Sequence, residues 1–249
     1  MKRLATLLAV GCLLFTRTVT TQEPSRGPDG RTHTSVSGVE VPAVPGVPFS
    51  AEDTVDWTRT LENGSRVTLH LDAVLARDSN GRIYRERHHF VSAESEDSGP
   101  LFEIHMMDPQ TRTQLRCSGR TYQCILSDYT PQLFFESTPA GTYEHGNRTL
   151  VREYLGTDTI EGIYVAGTRE TTTIDAGAVG NERPVVSTRE FWYSNELQTN
   201  LAVTRIDPVE GKQIIRLSSI SRSEPDRHLW DIPIGFSVRD MRRSAGRVR

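Results

Sequence analysis

From Asp53 to Ser92 polar and apolar residues alternate in "DTVDWTRTLENGSRVTLHLDAVLARDSNGRIYRERHHFVS". A period of two is the pattern of half-buried strands. It breaks at Asn63-Gly64 and at Asn80-Gly81, residues that tolerate positive φ, so the stretch predicts a three-stranded meander. A two-residue loop at the second break would set Asp72 opposite His89 and Ala73 opposite His88. A three-residue loop with Gly81 in a bulge shifts that pairing by one.

The same style continues downstream. "LFEIHMMDPQTRTQLRC" reads as a hairpin turning at Asp108-Pro109. "QLRCSGRTYQCIL" reads as another, with Cys117 and Cys124 flanking a Ser-Gly turn. "SDYTPQLFFESTPAGTYEHGNR" is irregular and punctuated by Pro and Gly, with no helix longer than two turns. A strand, a turn at Glu161-Gly162 and a long strand come next, rich in β-branched and aromatic residues. Later turns fall at Ser194-Asn195 and in "PVEGK". In "SEPDRHLWDIP", Ser223 is expected to cap one helical turn begun by Pro225, with Leu229, Trp230 and Ile232 covering an end of the sheet. The predicted fold is mainly β: a curved antiparallel sheet forming an incomplete half barrel, with at most short helical turns.

The glycines of "DAGAVGN" (175–181) raise the question of a phosphate loop. Such a loop needs a strand before it and a helix after it, so that amide groups converge on the anion. Here "RPVVSTREFWYS" comes after it, a strand by composition, and the Lys and Ser/Thr ending is missing. The stretch predicts a corner between strands.

The ends read differently. "MKRLATLLAVGCLLFTRTVTTQEPS" has basic residues before an apolar run, as a secretory signal peptide does, and the run is too short for a comfortable span. The expected organisation is a signal peptide over 1–21, a Pro/Gly-rich extended leader over 22–52 with a short edge strand at Val39–Val41, a β domain over 53–238, and a basic disordered tail over 239–249. Cys12, after "AVG", offers a lipoprotein alternative in which it is acylated. Export fits Cys117 and Cys124, which an oxidising compartment would let pair across their hairpin. The expected location is the periplasm or the exterior, with no transmembrane span in the mature chain.

Charge narrows the partners. The formal net charge is −3 and becomes −6 without Lys2, Arg3 and Arg17. That balance argues against general nucleic-acid binding, which calls for a basic face. Lys2 and Lys212 are the only lysines among 29 basic residues, a bias of genome composition rather than of chemistry.

At "YLGTDTIEGIYVAGTRETTTI … REFWYSNELQTNLAVTRIDPVEGKQIIRLSSISRSEPDRHLWDIPIGFSV" the order of elements is similar to the C-terminal half of the lipoprotein-carrier fold, the LolA/RseB-like group of periplasmic proteins. "DSNGRIYRE" and "HMMDPQTRTQ" resemble that fold's first hairpins. The phrases "LGTDTIEG", "AGAVGN" and "WYSNELQ", with the paired cysteines, resemble an uncharacterised set of exported proteins common in acidobacteria. The resemblance covers roughly residues 55 to 237. It implies a strongly curved sheet whose apolar concave face holds acyl chains or serves as a sensor. Helices that plug the carrier's cavity have no counterpart in this sequence, and no ligand-binding residue is carried over.

Sites of chemistry are few. His88 and His89 are adjacent and point to opposite faces of a strand; His70 and His105 lie on other strands, and His145 sits beside Glu144 in a loop. No zinc-ligand spacing and no nucleophile elbow occurs. Acidic residues in "ESEDSG" and "EPD" fall in turns, so paired-carboxylate chemistry has no marked site. "NGS" and "NRT" match the glycosylation sequon but serve as turn residues. No catalytic, metal or cofactor site is expected. Phe134, Phe135, Trp192 and Trp230 are the candidate apolar groove. The expected function is a non-enzymatic envelope protein whose concave sheet binds an apolar ligand, lipid, lipoprotein or another envelope protein. The alternative is a scaffold or protein-interaction module without a small ligand.

Overall fold

The computed structural model describes residues 39–131 and 139–242. Their strands are β1 (Phe49–Thr60), β2 (Arg66–Arg77), β3 (Ile83–His88), β4 (Val91–Ser92), β5 (Leu101–Asp108), β6 (Thr113–Ser118), β7 (Gln123–Asp128) and β8 (Gly141–His145). Then come β9 (Arg148–Ile160), β10 (Ile163–Ile174), β11 (Val185–Ser194), β12 (Thr199–Asp207), β13 (Gly211–Ser221) and β14 (Ser237–Asp240). They form one sheet in the order β14-β7-β6-β5-β3-β2-β1-β13-β12-β11-β10-β9-β8, with β4 on β2. Every pairing is antiparallel except β14 with β7. Among the described residues no helix is long and apolar enough to cross a membrane.

Alternation decides which face is inside. In β1, Phe49, Ala51, Asp53 and Val55 are buried while Glu52 is exposed. Their partners Leu75, Ala73 and Leu71 on β2, and Ile215 and Leu217 on β13, share that face. The sheet curls around it. The Arg77 guanidinium at the end of β2 donates to the carbonyl of Leu197, in the turn between β11 and β12. In a flat sheet the three intervals from β2 to β12 would span about 14 Å, more than one side chain bridges. The face of Val55 is therefore concave, and the sheet is open, not closed into a barrel.

Turns obey their chemistry. Glu161 and Gly162 both take positive φ, 52° and 72°, between the paired Ile160 and Ile163, as a two-residue hairpin loop requires. Residues 175–184 join the antiparallel β10 and β11, so the Gly-rich stretch is a corner. The loop at Asn80-Gly81 runs from Asp78 to Arg82 and pairs Ala73 with Arg87, one residue displaced from the two-residue alternative. A second apolar cluster, Ala76, Tyr84, Ile104, Met106 and the two cysteines, lies on the opposite face. Leu229, Trp230 and Phe236 of the C-terminal arm cover it.

Several expectations need correction. Val39–Val41 forms no edge strand; residues 39–48 run extended without pairing, and Val39 and Val41 are buried in the main core. Phe49 to Glu52, expected in the leader, open β1, and Arg239 and Asp240, expected in the tail, belong to β14. A strand, β8, forms where irregular structure was expected, because Gly146 with φ 59° closes a hairpin onto β9. The late turn is a 3₁₀ turn at Arg227–Trp230 capped by Asp226, whose carboxylate accepts the His228 N–H. Asp226 lies two residues before the group it caps; Ser223 lies too far upstream. Ile232 is 52% exposed and is not among the residues packed on the second cluster.

Cys117 and Cys124 sit directly opposite each other on β6 and β7 and are joined. A bridge closing so short a loop stabilises by about 2 kcal/mol, chiefly by restricting the unfolded chain. Cys117→Ser/Cys124→Ser is expected to lower the urea unfolding free energy by about that amount, and dithiothreitol to do the same to the unsubstituted protein but not to the variant.

Candidate functional site

The concave face divides into an apolar region and two charged wings. The apolar region is a row from Leu71 through Val55, Ile215 and Val203 to Phe191, each the cross-strand partner of the next. Two residues along the strands, on the same face, the row reads Trp57, Gln213, Arg205, Arg189, Glu170, Arg152. Arg152 Nη1 lies 2.5 Å from Glu170 Oε1, and Arg189 Nη1 3.7 Å from Glu170 Oε2. The Arg152 guanidinium also stacks over Phe191 at 5.1 Å. On the other wing Arg85 and Arg87 of β3 face His105 and Glu103 of β5, with an Arg87–Glu103 contact of 3.0 Å. Burial pushes the His105 imidazole down to about 4, and its Nε2 meets Gln114 at 2.9 Å.

Across the apolar region lies the strap formed by residues 39–48. Pro42, Pro45 and Pro48 lack N–H donors, so it cannot join the ladder as a regular strand. Side chains of the sheet hold its main chain instead. Arg77 is fully buried and donates from Nε to Val47 O at 2.9 Å and from Nη1 to Pro42 O at 3.0 Å, besides its 2.6 Å bond to Leu197 O. Burial pulls the Arg77 guanidinium down to about 10, which leaves it charged at neutral pH. Arg85 donates to Val39 O, and Thr199 to Glu40 O at 3.1 Å. Asp53 Oδ2 accepts the Val39 N–H at 2.9 Å. Gly81, with φ 81°, lets the strap pass: a Cβ there would stand 3.2 Å from the main chain of Val44 and Pro45.

Asp53 is the carboxylate most exposed to the cost of this arrangement. It is fully buried, and burial pushes it up to about 7 against the opposing charges of Arg85 and Arg87. Its Oδ1, like Arg85 Nε and Arg87 Nε, meets no hydrogen-bond partner. On the convex face His70 presents a second titrating group: Nδ1 lies 2.7 Å from Asp56 and Nε2 2.9 Å from Asp72, which Ser98 also contacts. Burial opposes charge on His70, but the two carboxylates outweigh it and raise the imidazole above its usual value.

Of the candidate groove residues, Trp192 and Trp230 are held in separate places. Phe134 and Phe135 lie outside the described residues. Trp192 packs against the edge of the main core with its ring over Gly167, where a Cβ would approach within 2.6 Å. Trp230 packs on the second cluster, stacked with Arg82 at 4.6 Å. Sequence reading passed over Arg77, Asp53, Arg85 and the strap. The signal was present in part: Asp53 and Arg77 occupy inward positions of the alternation, where a charge needs a partner. At the other edge, Thr111, Arg112, Thr113, Asp128, Tyr129, Thr130, Asp240 and Arg242 line an open polar cleft of about 640 Å³. Among the described residues no group of three or more His, Cys, Asp or Glu is placed to hold a metal ion.

No protein-family model matches the chain, and neither does any curated protein. Among solved structures it is loosely similar to an uncharacterised conserved protein of Thermus thermophilus, at 11% identity and a TM-score of 0.40, over 78% of this chain and 91% of that one. A chain of the MucA/MucB complex of Pseudomonas aeruginosa matches at 11% identity and 0.38, over 76% of this chain and 57% of its own. A LolA superfamily protein of Nitrosomonas europaea matches at 8% and 0.27, over 76% and 92%. At such scores the side-chain chemistry has to be read from this chain itself.

Asp53 gives the site a pH dependence of definite sign. The unfolded chain releases its proton near 3.8 and the folded chain near 7, so between these values the unfolded state binds fewer protons and stability falls as pH rises. His70, raised when folded, contributes stability that is complete below 6.5 and is lost as pH rises through its folded value. His105, pushed down to about 4 when folded, acts in the opposite sense between 4 and 6.5, so urea midpoints are expected to change little there and to decline between pH 6.5 and 8.5. Asp53→Asn should uncover a rise in midpoint from pH 4 to 6.5, and His70→Gln should flatten the limb above 6.5. An unchanged acid limb in Asp53→Asn would remove Asp53 from the account.

Proposed function

We propose that the chain is an exported, non-catalytic protein of the bacterial cell envelope whose curved sheet receives a polypeptide partner. One observation carries the reading: the apolar part of the concave face is already occupied by an extended peptide, the chain's own residues 39–48, gripped through its main chain. The wings on either side carry arginines and glutamates rather than the continuous apolar wall an acyl chain would cover. Secretion to the periplasm or beyond is supported by the N-terminal segment and by the Cys117–Cys124 bond. The second reading, an apolar-ligand or lipidated-partner carrier, draws on the open curvature of the sheet.

Native mass spectrometry of the protein recovered from a bacterial periplasm separates the two. The expected spectrum is the bare chain, unchanged by organic extraction and by incubation with palmitate. In-cell cross-linking should join it to one polypeptide at fixed stoichiometry. A co-purifying mass that extracts as lipid, without a cross-linked polypeptide, would replace this proposal with the carrier reading.

A further inference from the structure

The strap's seat has an uneven inventory of hydrogen-bonding groups. Arg77 offers three N–H groups, Arg85 one and Thr199 its hydroxyl, and all five meet main-chain carbonyls: Val47, Pro42, Leu197, Val39 and Glu40. Four of those carbonyls belong to the strap. Against them stand two acceptors, the Asp53 carboxylate, which takes the Val39 N–H, and the Ser79 carbonyl, which takes the Gly46 N–H. A seat rich in donors and poor in acceptors matches a chain with more carbonyls than N–H groups, and proline is the residue that produces that excess. "VEVPAVPGVP" has three prolines in ten residues. Recognition runs mainly through the main chain, with Val39 and Val41 in apolar pockets of the core. It is therefore tolerant of the other side chains.

The strap is also separable from the sheet. It contributes no strand pairing, so its departure leaves every ladder intact. Beneath it Asp53 Oδ1 and Arg85 Nε are buried without hydrogen-bond partners, a cost the closed arrangement bears. The connection to β1 runs through Val47 and Pro48, next to the Arg77 Nε contact.

We infer that the seat of residues 39–48 is a binding site for an extended, proline-spaced segment of another polypeptide, which enters by displacing the strap. The inference rests on the polypeptide-partner reading above and names the place where the partner sits. The strap competes from the same molecule at an effective concentration on the order of millimolar, so an entering segment binds tightly only where the strap is weakened or the partner's local concentration is high.

The probe is the N-acetylated peptide of residues 39–48 with a fluorophore at its C-terminus, titrated into the full chain. Saturable binding at one site is expected for the variant Val39→Ser/Val41→Ser, at least ten-fold tighter than for the unsubstituted chain. A peptide carrying the same two serines should bind at least ten-fold more weakly. A cooperatively folded variant that takes up no peptide, or takes up both peptides equally, would overturn the inference. Should the variant not unfold cooperatively, amide exchange in the unsubstituted chain decides. Millimolar peptide is expected to speed exchange at Val39, Val44 and Gly46 several-fold while leaving Val55 unchanged, and no acceleration would refute it. A polypeptide that still cross-links in cells after either failure would place the partner elsewhere on the sheet.

Discussion

The fold hangs on the guanidinium of Arg77. Its three bonds reach three separate places, the Val47 and Pro42 carbonyls of the strap and the Leu197 carbonyl of the β11–β12 turn. Leu197 lies three strand intervals from β2 along the sheet and the other two carbonyls belong to the strap, so the curl of the sheet and the position of the strap share one anchor. Phe49 covers the charge, with its ring centre 5.1 Å from the guanidinium carbon. A buried cation is tolerable only when its donors are satisfied, and carbonyls satisfy them without bringing in a second ion. Losing the guanidinium would leave three buried carbonyls without their donor, each costing about 1–3 kcal/mol.

Curvature then dictates where charge can be placed. On a concave face neighbouring side chains converge, so long residues at equivalent positions must interact or clash. The row Arg189–Glu170–Arg152 resolves the crowding by alternating sign across β11, β10 and β9, with Glu170 between two arginines. Such a network contributes little net stability because each ion was desolvated to form it. It does exclude mispairing, since a one-residue slip would place Glu170 on the opposite face. On the convex face, by contrast, the second apolar cluster is covered by the C-terminal arm. The chain thus uses its two flanking segments on opposite faces, the N-terminal one inside the curl and the C-terminal one outside it.

Most of the strand order and several turns were legible, because alternation and turn chemistry are local properties. Glu161-Gly162 needed nothing beyond its own two residues to be placed, and the corner at 175–181 was separated from a phosphate loop by the strand-forming residues on its C-terminal side. What escaped reading was non-local. Val39 and Val41 look like leader residues because prolines surround them, and only the curl of a sheet formed far downstream creates the pocket they fill. Trp192 and Trp230 were grouped by residue type, but one lies over Gly167 and the other under Arg82, and no local pattern states which face a long strand turns toward the core. Asp53 lies between these cases: its inward position was readable, whereas its partner, an amide fourteen residues upstream, was not.

Half-barrel shape alone suggests a cradle for apolar chains, and the chemistry of the cradle argues otherwise. Burying a valine or leucine side chain is worth about 1.5–3 kcal/mol, so an open apolar face of this size would be costly unless covered. Here the chain covers it, with a segment whose prolines prevent it from completing the sheet. An acyl chain would satisfy the pockets of Val39 and Val41 but would leave the donors of Arg77, Arg85 and Thr199 facing hydrocarbon. Polypeptide satisfies both, as the chain's own residues 39–48 do here.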